Sequence, residues 1–209
     1  MNVDTQETKA GQTMIDPALA LLEFDSIAAG FQAADAMIKR APIAVMRAGT
    51  VQPGKFLVLI GGLTADVEES LQAGREVGTS AEVDFVFLPR VDVQVVEAIS
   101  GGRVPAPEDA LGIIETSTVA AAIHSADAGV KGANVHLVEV RLADGLGGKG
   151  IVLFSGLLTD VEAAVEIGIG ALERSNLLVR QVVIPQLHEG IWSNLGEATR
   201  FRTLVAGKL

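Results

Sequence analysis

The chain writes one passage twice. Arg47-Ala-Gly-Thr-Val-Gln-Pro-Gly-Lys55, the apolar run Phe56–Ile60 and Gly62-Leu-Thr-Ala-Asp-Val-Glu68 return as Arg141-Leu-Ala-Asp-Gly-Leu-Gly-Gly-Lys149, Ile151–Phe154 and Gly156-Leu-Leu-Thr-Asp-Val-Glu162. At an offset of 94 residues, ten of the 24 positions from Met46 to Glu69 are identical: Arg47, Gly54, Lys55, Val58, Leu59, Gly62, Leu63, Asp66, Val67 and Glu68. Chance would supply about two. A second passage repeats at offset 92, where Ala18–Ala41 and Ala110–Ala133 share ten of 24 positions, and Pro89 returns as Pro185 at offset 96. The chain must therefore fold as two copies of one unit, and any reading of one half has to hold for the other.

The repeat divides the 209 residues. Residues 1–17 are polar and aperiodic and read as a flexible leader. The first unit spans 18–100. Residues 101–109, Gly-Gly-Arg-Val-Pro-Ala-Pro-Glu-Asp, are the densest Gly/Pro stretch and form the linker. The second unit spans 110–195, and 196–209 have no counterpart and form a tail.

Within a unit the periodicity changes from strand to helix and back. Ala18–Phe24 is a short apolar strand. Ser26 is a helix N-cap, and Ile27, Phe31, Ala34, Ile38 and Ala41 recur at helical spacing over 27–40. Asp35 and Lys39 lie four apart on that helix. Pro42 ends it. Strands follow at 43–51 and 55–60 around the turn Val51-Gln-Pro-Gly54, then a helix over about 65–77, a strand at 82–88 stopped by Pro89, and a short helix over 92–99. The second unit repeats the order: strand 110–115, helix 119–132 capped by Thr118, strands 135–143 and 151–154, a helix opened by the capping-box pattern Thr159-Asp-Val-Glu162, and strand 177–184. This β-α-β-β-α-β order predicts an α+β fold of two ferredoxin-like units. Each is one antiparallel sheet with two helices on one face, and the units pack side by side.

Composition narrows the function classes. A net charge of −10 with 4% aromatics leaves neither the basic face nor the stacking platform that nucleic acid needs. Every apolar run is interrupted well short of the roughly 18–20 residues of a membrane span. The N-terminus lacks a signal-peptide pattern, so cytoplasmic residence is the expectation. With no cysteine there is no thiolate nucleophile, no disulfide and no cysteine-ligated metal.

The candidate motifs are weak as catalysts. Gly49-x-x-x-x-Gly54-Lys55 imitates a phosphate-cradling loop, but Phe56 stands where a magnesium-binding hydroxyl belongs, and a strand follows where a helix N-terminus is required. His124, His136 and His188 share no ligand spacing. Glu23 and Glu115 are duplicated, as are Asp35 and Asp127. A catalytic constellation is usually asymmetric, so copied carboxylates point to structural or interface roles. Trp192 is assigned to core packing, and Ile191 to core or interface. On the residues alone two readings stay open: a self-assembling structural protein, or a small-molecule-binding regulatory protein of duplicated ferredoxin-like fold. An enzyme is not expected, since no catalytic set is visible.

The motifs together resemble a known family. Leu22-Glu-Phe-Asp-Ser-Ile-Ala-Ala-Gly30, Ala34-Asp-Ala-Met-Ile-Lys-Arg-Ala41, Pro53-Gly-Lys-Phe56 and Gly62, repeated as Gly112-Ile-Ile-Glu-Thr116, Ala126–Asn134, Gly145-Leu-Gly-Gly-Lys149 and Ile184–Glu189, look like the bacterial microcompartment shell domain. The domains stand in tandem and in the ordinary, non-permuted order, as in the tandem-domain shell proteins of propanediol-utilisation microcompartments. The resemblance implies a homotrimer whose six domains make a pseudo-hexameric tile, packed edge to edge with other shell proteins around encapsulated enzymes. It places Val51, Gln52, Pro53 and Gly54, with Gly145, Leu146 and Gly147, around a central pore for small metabolites. It makes Lys39, Lys131 and Arg90 tile-edge contacts, with Gln186 standing at the place of Arg90 in the second half. The tandem-domain proteins of propanediol-utilisation microcompartments that it resembles carry a cysteine just before Pro-Gly-Lys, three of which hold an iron–sulfur cluster on the axis. Here Gln52 occupies that position, so neither a cysteine-held cluster nor any other cofactor or metal is expected.

Overall fold

The computed structural model describes residues 17–101, 109–197, 199–200 and 205–206. The leader, most of the linker and most of the tail lie outside the described residues. The first half runs β1 (Ala18–Phe24), α1 (Ile27–Arg40), β2 (Val45–Val51), β3 (Lys55–Gly62), α2 (Thr64–Gly78), β4 (Glu82–Leu88) and α3 (Val93–Ile99). The second runs β5 (Ala110–Thr116), α4 (Val119–Gly132), β6 (His136–Leu142), β7 (Gly150–Gly156), α5 (Leu158–Gly170), a 3-10 turn at Ser175–Leu177, β8 (Leu178–Pro185) and α6 (Glu189–Glu197).

Each half is a four-stranded antiparallel sheet, ordered β2-β3-β1-β4 and β6-β7-β5-β8. The central strand β1 is buried along its whole length because both of its faces are covered. Ala18, Ala20, Leu22 and Phe24 face α1 and α2 together with Phe56, Val58 and Ile60. Leu19 and Leu21 face the other way, into a core continuous with the second half. Ser26 and Thr118 cap α1 and α4 as expected, accepting hydrogen bonds from Ala29 N and Ala121 N, each at 3.3 Å. Helix α1 lies close on β3 because Gly30 carries no side chain there: a Cβ would come within 2.4 Å of Phe56.

Two local expectations are corrected. The capping box at Thr159 does not form. Helix α5 starts two residues earlier, with Leu157 at the N-cap and no side-chain cap bond. Helix α2 starts in the same way at Leu63. Burial sets this start. Val67 and Val161 are both fully buried, and each donates its N–H to the capping leucine's carbonyl at 2.9 Å. The second correction concerns the identity of Arg47 and Arg141. Arg47 pairs with Leu59 across the sheet, and the residue that pairs with its counterpart Leu153 is Glu139. From Arg47 and Glu139 onward β2 and β6 therefore correspond at offset 92, and at 91 before the bulge at Val138, whereas β3 and β7 correspond at offset 94. The two extra residues sit in the hairpin turn, which is 52–54 in the first half and 144–148 in the second.

Candidate functional site: the junction of the halves and its two turns

The halves meet where α4 crosses β4 and β1, and where α3 reaches over to β6. Val119 and Ile123 of α4 and Val95 of α3 are fully buried there. Around that apolar contact the polar groups are paired. Glu23 on β1, fully buried, accepts from the Lys55 ammonium at 2.5 Å and from Val119 N, the first N–H of α4, at 2.8 Å. A carboxylate at a helix N-terminus is favoured by the helix dipole. Burial nevertheless holds the Glu23 carboxyl above its ordinary value of 4.5, outweighing the lowering by Lys55 and the helix N–H groups. Asp84 on β4 accepts from Thr118 Oγ1 and from Arg174 at 2.9 Å. At the far end of α4, Asp127 accepts from Asp92 N at 2.9 Å and from Lys131 at 2.6 Å, and Lys131 also donates to the Arg90 carbonyl. Gln94 of α3 accepts from Leu137 N at 2.9 Å.

The two hairpin turns lie together at one end of this junction. In the first, Gly54 N donates to the Val51 carbonyl at 3.0 Å, the Gln52–Pro53 peptide is cis, and Gly54 has φ 112°. The longer second turn needs positive φ at Ala143, Gly145, Gly147 and Gly148, which explains its glycine content. Gly148 is where the turns touch: a Cβ there would stand 3.0 Å from Pro53 Cδ and 3.3 Å from Lys55 Cε. Lys55 Nζ lies 3.4 Å from the Gly148 carbonyl. Gln52, Asp144, Gly145 and Leu146 line a surface depression of about 500 Å3 with Arg141, Thr199 and Arg200. The tail reaches this place: Thr199 donates to Glu139 at 2.7 Å and accepts from Arg141 at 3.0 Å, and Arg200 pairs with Asp144 at 3.1 Å.

The residues expected around a pore thus fall on two adjoining turns. Of the edge residues, Lys131 and Arg90 meet across the junction, whereas Lys39 pairs only locally with Asp35 at 2.7 Å. The histidines do not converge, and among the described residues no three His, Cys, Asp or Glu side chains form a metal-binding group. Gln52 is exposed at its turn, and a neutral amide with no thiolate in the sequence does not fit an iron–sulfur cluster. Sequence reasoning missed the roles of Lys55, Asp84, Arg174, Thr199 and Arg200. The duplicated Gly-Lys and the duplicated Glu23 and Glu115 were signals for the first of these.

The BMC domain pattern matches residues 18–91 and again 110–187. The bacterial microcompartment shell protein PduT of Citrobacter freundii is 39% identical over 180 residues, covering 86% of this chain and 98% of that protein. The chain belongs to the bacterial microcompartment shell family. A crystal structure of a microcompartments protein from Desulfitobacterium hafniense DCB superposes with a TM-score of 0.74 at 40% identity, over 85% of this chain and 98% of that one. The shell protein EutM of Salmonella typhimurium is 39% identical over 80 residues, 38% of this chain and 81% of its own. Membership in the family accounts for the tandem order: each half is one shell domain, joined in sequence without permutation. Among the described residues no helix is long and apolar enough to cross a membrane.

Proposed function

We propose that three copies of the chain close into a ring of six domains, a flat shell tile with a central opening for small metabolites. The observation that carries this reading is the mismatch between the two ends of the chain. The in-chain contact buries the outer face of α4, and the matching face of α1 is bare. Ile27 and Phe31 are 41% and 63% exposed where Val119 and Ile123 are fully buried. At the other end β8, the counterpart of the covered β4, leaves Val179, Arg180 and Gln181 exposed. A second copy that docks its α1 on this β8 repeats the in-chain contact. Such head-to-tail contacts close a ring when the rotation per step divides the circle.

In that ring the turns Val51–Gly54 and Asp144–Gly148 alternate around the axis, with Gln52 and Leu146 at the opening. Lys131 with Arg90 lies where a domain boundary meets the perimeter, and Lys39 takes the same place beside Gln186 of the partner subunit. These edges would meet neighbouring tiles. The alternative, a ligand-binding regulator, would use the polar depression beside the turns, which lies open to solvent. Sedimentation tests the ring: the expected mass is three times the 21.7 kDa chain. Electron microscopy tests the tile, with extended sheets as the expected product. A soluble dimer would overturn both.

A further inference from the structure

The duplicated Gly-Lys has a mechanical meaning at the junction. Four groups meet around Glu23: its carboxylate, the Lys55 ammonium, the first N–H of the next domain's helix (Val119) and the turn carbonyl of the next domain (Gly148). Two come from one domain and two from the domain after it. The second half holds the first two in the same arrangement. Glu115 faces Ile151 across the sheet as Glu23 faces Leu57, and Lys149 reaches Glu115 at 2.6 Å. Among the described residues no helix N-terminus meets Glu115 as Val119 meets Glu23. The Glu115 and Lys149 side chains are accordingly 28% and 46% exposed, against 0% and 18% for Glu23 and Lys55.

We infer that Glu115 and Lys149 form an intersubunit clamp with a second copy of the chain. Glu115 accepts from Ile27 N of the partner subunit, at the start of its α1. Lys149 donates to the carbonyl of Gly54 of the partner subunit, in its first turn. The inference rests on the ring reading above. In a closed trimer three Lys55 and three Lys149 then tie each turn at the opening to the next. The lysines are thus fasteners of the aperture wall, and their charges are spent on buried carboxylates rather than offered to the passage.

The test compares the full-length wild type with Lys149→Met and Lys55→Met by sedimentation and thermal unfolding. Truncating one partner of a desolvated pair weakens association strongly. Lys149→Met is expected to raise the trimer dissociation constant about tenfold or more while the isolated chain melts as before. Lys55→Met is expected to lower the melting temperature of the chain itself. A wild type that is not a trimer overturns the ring. A trimer left equally tight by Lys149→Met overturns the clamp and leaves the ring standing. If Lys149→Met does not fold, Glu115→Gln serves instead, read by amide exchange at Ile27. Faster exchange within the trimer supports the clamp, and unchanged protection overturns it.

Discussion

Helices α1 and α4 descend from the same repeated stretch and end in opposite surroundings. Both have a Ser or Thr cap, the same Asp and Lys four apart, and apolar residues at the first and fifth positions. On α4 these apolar positions are core; on α1 they are surface. The Asp127 side chain is 6% exposed, and that of Asp35 is 60% exposed. The chain thus carries its own control: equivalent positions can be altered where they are buried within the molecule and where they are exposed. On the ring reading, the difference makes the α1 face a half-built core that a second copy completes.

The largest contrast is expected from Ile123→Ala against Phe31→Ala. The first empties a fully buried site and should cost about 2–5 kcal/mol of chain stability in a urea titration. The second should cost the isolated chain under about 1 kcal/mol, since Phe31 is mostly exposed and its ring lies beside Phe56 with centroids 4.7 Å apart. It should instead shift the sedimenting mass toward monomer. Equal loss of chain stability with an unchanged mass would break the comparison.

A smaller contrast follows for the aspartates. Asp127→Asn weakens its bond to Asp92 N across the junction and its bond to Lys131 on the same helix, and should cost about 1–3 kcal/mol. Asp35→Asn removes an exposed i,i+4 pair, worth about 0.5 kcal/mol or less. Thermal melts of the two variants at matched salt separate these expectations.

Glu23 gives a pH test. Its raised pKa means the native state binds the proton more tightly than the unfolded chain does. The wild type therefore loses stability through this group as pH rises from 4.5 toward the raised value. Glu23→Gln has no such loss. The stability of the variant relative to wild type should move in the variant's favour across that window and level off above it. A drift in the other direction would show that Lys55 and the helix N-terminus outweigh burial. The smallest effect is expected at the opening, where Gln52→Leu replaces an amide by an apolar side chain of similar size. Conductance through membrane-inserted tiles should change by a few-fold, and an unchanged value would remove Gln52 from the constriction.

Much of the fold was legible in the sequence because it is local. Ser26 and Thr118 announce their helices, Pro42, Pro89 and Pro185 close elements, and the repeat forces both halves into one topology. The start of α5 was misread because Thr159-Asp-Val-Glu162 satisfies a local rule, while burial of Val161 decides the register. Arg47 and Arg141 misled for a related reason. A string comparison keeps one offset through the hairpin, whereas the strands keep theirs and the turn absorbs two residues. The turns were found as candidates through their glycines and the family resemblance. Their fastening was not, because Glu23 and Lys55 are 32 residues apart and the helix they receive begins 96 residues after Glu23. Such a set is visible only once the sheets are paired. The role of Trp192 was read correctly in part: it is half-buried on Leu111, Val138 and Leu153, while Ile191 beside it is 47% exposed.

The two extra residues in the second turn have one more consequence. A ring of six identical domains must accept every change at its centre six times over. Here the short proline turn and the long glycine turn are encoded separately, so in a ring of three chains each can drift alone. In such a ring a substitution at Gln52 would alter three positions around the axis and leave the other three untouched. Duplication thus converts a coarse dial into two finer ones, and the tail bonded to Asp144 and Glu139 acts on only one of them.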